Sequence, residues 1–103
     1  MHRVVFSPEA SAQLVELYRY IAAASGPVIA AGYTDAIVAY CESLSLFPER
    51  GTRRDDVRPG LRLTHYRRRA MIAFAVDGDV VSIVGVFYGG QDYEARLRDE
   101  DAE

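Results

Sequence analysis

The 103-residue chain contains no lysine, so every fixed positive charge is an arginine. Arginine is a planar fork that binds carboxylate and phosphate in two-point fashion, which lysine does not do. Cysteine is nearly absent. Cys41 stands alone, which excludes an internal disulfide and fits a reducing compartment. No apolar run approaches the roughly 20 residues of a membrane span. The N-terminal residues MHRVVFSPEA show no long apolar stretch and no small-residue cleavage site, so no signal peptide is read. These features lead to the expectation of a cytoplasmic protein that is not tied to a membrane. No metal-ligand spacing, nucleophile elbow or phosphate-binding glycine loop is present. No metal, no cofactor and no catalytic residue is therefore assigned.

What the chain does have is charge segregation. From Arg50 to Arg69 there are eight arginines against Asp55 and Asp56, a local charge of +6. From Gln91 onward six acids face Arg96 and Arg98, a local charge of −4. The net charge of −3 hides this contrast. A basic middle and an acidic end imply a charged partner, or a tail lying over the middle.

The length bounds the chain to one domain, residues 1–103, with 89–103 as a polar C-terminal tail free of core duties. Residues 3–6 form a short β-branched and aromatic run, read as a strand. Ser7-Pro8-Glu9 is a helix start, with a capping hydroxyl, a proline suited to the first position and an acid at the positive end of the dipole. Ala10, Leu14, Leu17, Tyr18 and Ile21 then recur on one face, so a helix is read over 8–24. Ser25-Gly26-Pro27 breaks the chain. A second helix over 27–47 carries Ile37, Tyr40, Cys41, Leu44 and Phe47 as its buried stripe, and Pro48 ends it. The break is so short that the helices must form an antiparallel hairpin.

Residues 48–60 read as a loop. Leu61, Leu63 and His65 alternate with Arg62, Thr64 and Tyr66, the period of a half-exposed strand. Residues 70–76 and 80–88 are apolar on both faces and are joined by Asp77-Gly78-Asp79, a hairpin turn. Such strands are central in a sheet or covered on both sides. The fold class is α+β, order β-α-α-β-β-β. A helical hairpin packs on a small, mostly antiparallel sheet, and the first strand returns beside the last.

The chemistry rests on arginine and tyrosine. Metal-free RNA cleavage needs a base, cations for the phosphorane-like charge and an acid. Arg62, Arg67, Arg68, Arg69, His65 and Tyr88 are the available groups. The competing readings are a solvated edge and a carboxylate-binding dock, since arginine forks take carboxylates as readily as phosphates. His65 shares the phase of Leu61 and Leu63, which reads as a packed or partner-facing histidine. Cys41, in the buried stripe, reads as a small core hydrophobe.

The segments SPEASAQLVELYRYIA, LSLFPERG, VRPGLRLTHY and VDGDVVSIVGVFYGGQDYE, taken in order, resemble the RelE/ParE superfamily of bacterial toxins, and the ParE branch more than the RelE branch. The resemblance runs from Val4 to about Glu94. It implies a toxin encoded beside a ParD-like antitoxin and acting on DNA gyrase by protein–protein contact, with no direct DNA binding by this chain. The alternative branch is the RelE-like ribosome-dependent mRNA endoribonuclease. That branch places an arginine inside the third strand and a basic residue after the last strand, followed by a tyrosine. Alignment on Phe74 and the 77–79 turn puts Met71 at the first position and Gly89-Gly90 near the second, leaving only Tyr93. On this resemblance Arg62, Tyr66, Arg67, Arg68, Arg69, Leu14 and Tyr18 are expected to meet the antitoxin. Tyr88, Gln91, Asp92, Tyr93 and Arg96 are expected to meet the target.

Overall fold

A computed structural model describes residues 2–89 and 97–98 of the chain. Ser7 caps the first helix: its Oγ accepts the Ala10 N–H at 3.0 Å. Strand β1 (Arg3–Phe6) leads into helix α1 (Pro8–Ser25), and Gly26 alone separates it from helix α2 (Pro27–Ser43). The sheet contains β2 (Thr52–Arg53), β3 (Leu61–Tyr66), β4 (Ala70–Asp77) and β5 (Val80–Tyr88). Strand order is β1-β5-β4-β3-β2. β1 lies parallel to β5, Arg3 opposite Val80 and Phe6 opposite Ile83, and the other pairs are antiparallel. The helical hairpin on a mostly antiparallel sheet, with the first strand beside the last, is the architecture expected. The two-residue β2 is an addition within the expected 48–60 loop. No helix among the described residues is long and apolar enough to cross a membrane.

The main core lies between helices and sheet. Ala10, Leu17 and Ile21 of α1, and Ala30, Ile37 and Cys41 of α2, meet Ile72, Phe74, Val81, Ile83 and Val86. A smaller cluster covers the other face: Val57, Leu61, Leu63, Ala73, Phe87 and Leu97. Leu97 is fully buried there, so the C-terminal segment does carry a core duty, contrary to the polar reading of the tail. A short apolar residue among charges has too little periodicity to reveal such docking.

Two local departures shape the molecule. β5 opposes Gly85 to Ala73 and Ile83 to Phe74, so Val84 is an extra residue, a β-bulge. The bulge inverts the parity of the strand. Val81 and Ile83 face the helices before it; Val86 and Tyr88 face them after it. Gly85 sits at this point with no room for a side chain, because a Cβ would strike the Phe87 ring. β1 pairing ends at Ile83, so the Val86 N–H finds another acceptor, the buried Gln13 Oε1 at 2.7 Å. A buried amide left without that partner would cost about 1–3 kcal/mol.

The second departure is the end of α2. The helix stops at Ser43, not at Phe47. Leu44, Ser45 and Leu46 donate to Cys41, Glu42 and Ser43, three residues back, which tightens the last turn. The Ser43 hydroxyl bonds the Tyr40 carbonyl, a local alternative to helical pairing. Phe47 therefore leaves the buried stripe and is 57% exposed.

Burial pushes the Cys41 thiol up to about 12, with the Glu42 charge adding to the effect. Because the folded value lies above the unfolded one near 9, this contribution to stability is full below pH 9 and is lost as pH rises toward 12. Urea unfolding across pH 8 to 10.5 should show a decline that is shallower in Cys41→Ala. Equal slopes in the two proteins would refute the assignment.

Candidate functional site

β3 and β4 are joined by Arg67-Arg68-Arg69, and all three side chains are exposed. Arg67 has φ 56°, the only positive φ at a non-glycine among the described residues. The left-handed region costs an L-residue roughly 1–2 kcal/mol. Its guanidinium carbon stands 5.2 Å from the centre of the Tyr66 ring, a cation–π contact. The Arg69 carbonyl accepts the Gly89 N–H at 2.8 Å, which ties the turn to the end of β5. Among the described residues none of these three arginines has a carboxylate at ion-pair distance. The ion pairs join Arg53 to Asp55 at 3.2 Å and Arg54 to Asp56 at 2.9 Å.

Next to the turn the tyrosines converge. Tyr66 is opposite Ala70, and Ala70 is opposite Tyr88, so the three form a row across β3, β4 and β5. The small Ala70 side chain leaves space between the two rings. Tyr33 of α2 meets both edge-on, with centroids 6.2 Å from Tyr66 and 5.8 Å from Tyr88. Tyr20 extends the string beyond Tyr88 at 6.1 Å, and Tyr40 extends it beyond Tyr66 at 5.1 Å. The Tyr40 hydroxyl bonds Thr64 Oγ1 at 2.9 Å. Edge-to-face and tilted pairs at such distances are favourable beyond their buried area. Desolvation raises the Tyr33 pKa first, and neighbouring Tyr88 adds to it, so the Tyr33 hydroxyl keeps its proton at physiological pH.

A cleft of about 470 Å³ opens where α1 crosses the end of β5. Leu17 and Val86 supply its apolar wall, Tyr20 and Tyr88 its aromatic wall, and Gln13, Glu16 and Arg69 its polar rim. At the other end of the tyrosine string Arg50 lies 5.5 Å from the Tyr40 ring and 5.2 Å from the Phe47 ring.

Of the residues expected to meet an antitoxin, Tyr66, Arg67, Arg68 and Arg69 come together, and Tyr88, expected at the target, joins the same string. Arg62 is committed elsewhere: its Nη1 donates to the Glu49 carbonyl at 2.8 Å and holds the 48–50 segment against β3. Leu14 and Tyr18 pack half-buried against the helix-side core. Gln91, Asp92, Tyr93 and Arg96 lie outside the described residues. His65 shares the sheet face of Leu61 and Leu63, but it is exposed; the smaller cluster ends at Leu63, so it is not packed. Tyr20 and Tyr33 escaped the sequence reading, and Tyr40 and Arg50 entered it only as a buried-stripe residue and as one of the basic block, not as site residues. The seven-residue spacing of Tyr33 and Tyr40 was the available signal, and it needs the strand register to acquire meaning.

Met71, the position at which the resemblance would place a ribonuclease arginine, packs against the smaller cluster on the face away from the helices. Gly89 ends β5 with no side chain to offer. Among the described residues no three His, Cys, Asp or Glu side chains group as a metal site requires. Among the described residues the arginine turn brings cations and aromatic rings together.

The family model described as "ParE toxin of type II toxin-antitoxin system, parDE" matches residues 4–93. The chain belongs to the ParE toxin family. It is 29% identical over 97 residues to Toxin ParE3 of Caulobacter vibrioides, which covers 94% of this chain and 96% of that toxin. A solved structure described as a chromosomal ParDE TA system from P. aeruginosa has the same fold. Its TM-score is 0.75 at 24% identity, over 86% of this chain and 97% of that one. Within this ParE-family fold the tyrosine string anchors the helical hairpin at the arginine turn. Tyr33→Ala should cost about 2–3 kcal/mol and speed amide exchange at residues 67–70, while Tyr33→Phe should change either quantity little. Unaltered exchange in Tyr33→Ala would show that the ring does not hold the turn.

Proposed function

We propose that this ParE-family toxin acts on DNA gyrase by protein–protein contact, and that a ParD-like antitoxin neutralises it by covering the arginine turn and the tyrosine string. The observation that carries the docking half is the set of three adjacent, exposed arginines without an acidic partner among the described residues. A segment with acids and apolar anchors complements such a surface: the charges steer the encounter and the rings supply contact area. The left-handed Arg67 supports the same reading, because backbone strain kept at an exposed turn points to a use for that geometry. The gyrase half rests on the family resemblance, with Met71 and Gly89 at positions where an RNA-cleaving relative would carry cations. DNA enters only through the gyrase complex.

Purified toxin should inhibit supercoiling of relaxed plasmid by gyrase and accumulate linear DNA after detergent treatment. Normal supercoiling at a molar excess of toxin, from a preparation that still arrests growth, would overturn the gyrase reading. Simultaneous change of Arg67, Arg68 and Arg69 to Glu should weaken the antitoxin complex at least about tenfold and remove most of its salt dependence. Unchanged affinity would move the dock elsewhere.

A further inference from the structure

The eight arginines between residues 50 and 69 do not share one environment. Arg53 and Arg54 are given acids two residues on, and Arg62 is given a carbonyl. Arg50 and Arg67 are instead laid over rings: Arg50 over Tyr40 and Phe47, Arg67 over Tyr66. Tyr40 and Tyr66 are themselves in contact, at 5.1 Å. The series Arg67, Tyr66, Tyr40, Arg50, Phe47 is therefore a continuous stack with a cation toward each end of a tyrosine pair.

A guanidinium held over a ring spends its face on the contact and keeps its in-plane N–H donors. Those donors are the ones that match a carboxylate in two-point fashion. Part of the ordering cost of binding is met in advance, because both arginines are already held in place. The backbone contributes to this. Arg67 sits at φ 56°. The Arg50 N–H bonds the Phe47 carbonyl at 3.2 Å. The next residue, Gly51, has φ 84°, and a Cβ there would strike the Leu63 carbonyl oxygen. The Tyr40 hydroxyl is fixed on Thr64. Among the described residues neither arginine has a carboxylate at ion-pair distance.

We infer that Arg50 and Arg67 are a pair of preorganised forks that select an acidic segment of the antitoxin carrying two carboxylates, one for each. This rests on the antitoxin-docking reading above and adds to it Arg50, a residue on the far side of the tyrosine pair from the arginine turn. Successive centres lie 5.5, 5.1 and 5.2 Å apart, so the two guanidinium carbons are at most about 16 Å apart. With each carboxylate carbon about 4 Å from its guanidinium carbon, the two acids lie within about 24 Å, no more than roughly 16 residues apart in a helix at about 1.5 Å per residue, or about seven in an extended segment at roughly 3.3 Å. The geometry favours a peptide over single-stranded nucleic acid. A stacking platform needs free ring faces, and here Tyr66 and Tyr40 already carry guanidinium groups and each other.

The test uses the full-length toxin and the protein encoded by the adjacent reading frame, co-expressed and then measured for affinity from 50 to 500 mM salt. Arg50→Gln and Arg67→Gln should each weaken the complex about tenfold and flatten its salt dependence. Arg50→Lys and Arg67→Lys should recover little, since an ammonium keeps the charge but not the fork. Arg19→Gln, on the exposed face of α1, should stay within twofold of the parent. Melting temperatures check that each variant is folded. Folded Gln variants within twofold of the parent would overturn the fork assignment and leave the antitoxin reading standing. An equal loss in Arg19→Gln would overturn it in favour of general charge. Displacement of the partner by a 12-nucleotide single-stranded RNA would overturn the peptide chemistry. No complex with the parent toxin would overturn both readings.

Discussion

The Tyr33 ring, set edge-on between Tyr66 and Tyr88, is the contact on which the functional end of the molecule depends. It exists because Ala70 is the small member of a row that crosses three strands. A larger residue at position 70 would fill the space and push α2 away from the sheet. Through Tyr33 the helical hairpin is joined to the last residues of β3 and β5. The same residues frame the arginine turn, and the hydrogen bond from Gly89 to Arg69 closes that frame. The fold and the proposed docking surface thus share one aromatic cluster. The bulge at Val84 is a precondition: without the change of parity it introduces, Tyr88 would face away from the helices.

Charge is distributed over this frame with a discernible division of labour. Asp55 and Asp56 satisfy arginines of the 53–60 loop. The Asp55 carboxyl is held below its ordinary range by the Gly60 N–H and then by Arg53, and that of Asp56 chiefly by Arg54. These are exposed pairs of small energetic weight, and they shape a loop. Among the described residues the arginines on the tyrosine side have rings or solvent instead of acids. A surface that keeps cations unpaired while fixing their orientation favours the binding of an external anion. In the proposed function that anion is the acidic part of a ParD-like antitoxin.

Much of the fold was legible from periodicity and punctuation. Ser7-Pro8 begins α1 and Pro27 begins α2, while Asp77-Gly78-Asp79 turns β4 into β5. The strands at 3–6, 61–66 and 80–88 have the bounds expected, the first from its β-branched and aromatic run, the second from alternation and the third from an unbroken apolar run. What escaped depends on contacts distant in the chain or on local competition. Ser43 and the tightened turn after it ended α2 before Pro48 was reached, which released Phe47 to the surface and made it a partner for Arg50. The insertion of Val84 is invisible in a run that is apolar on both faces. Leu97 is buried by a cluster assembled from residues 57 to 87. At the site, Arg67 to Arg69 announced themselves as a block of charge. The five tyrosines come from two helices and two strands, so their convergence follows only from the register.

The central claim is that this surface grips a macromolecule and does not cleave RNA. Primer extension on ribosome-bound messages, in a translating extract supplied with the purified toxin, tests it most directly. The account predicts no new 5′ ends beyond those of the untreated extract. Fresh cuts within codons, abolished by substitution of His65 or Tyr93, would contradict it.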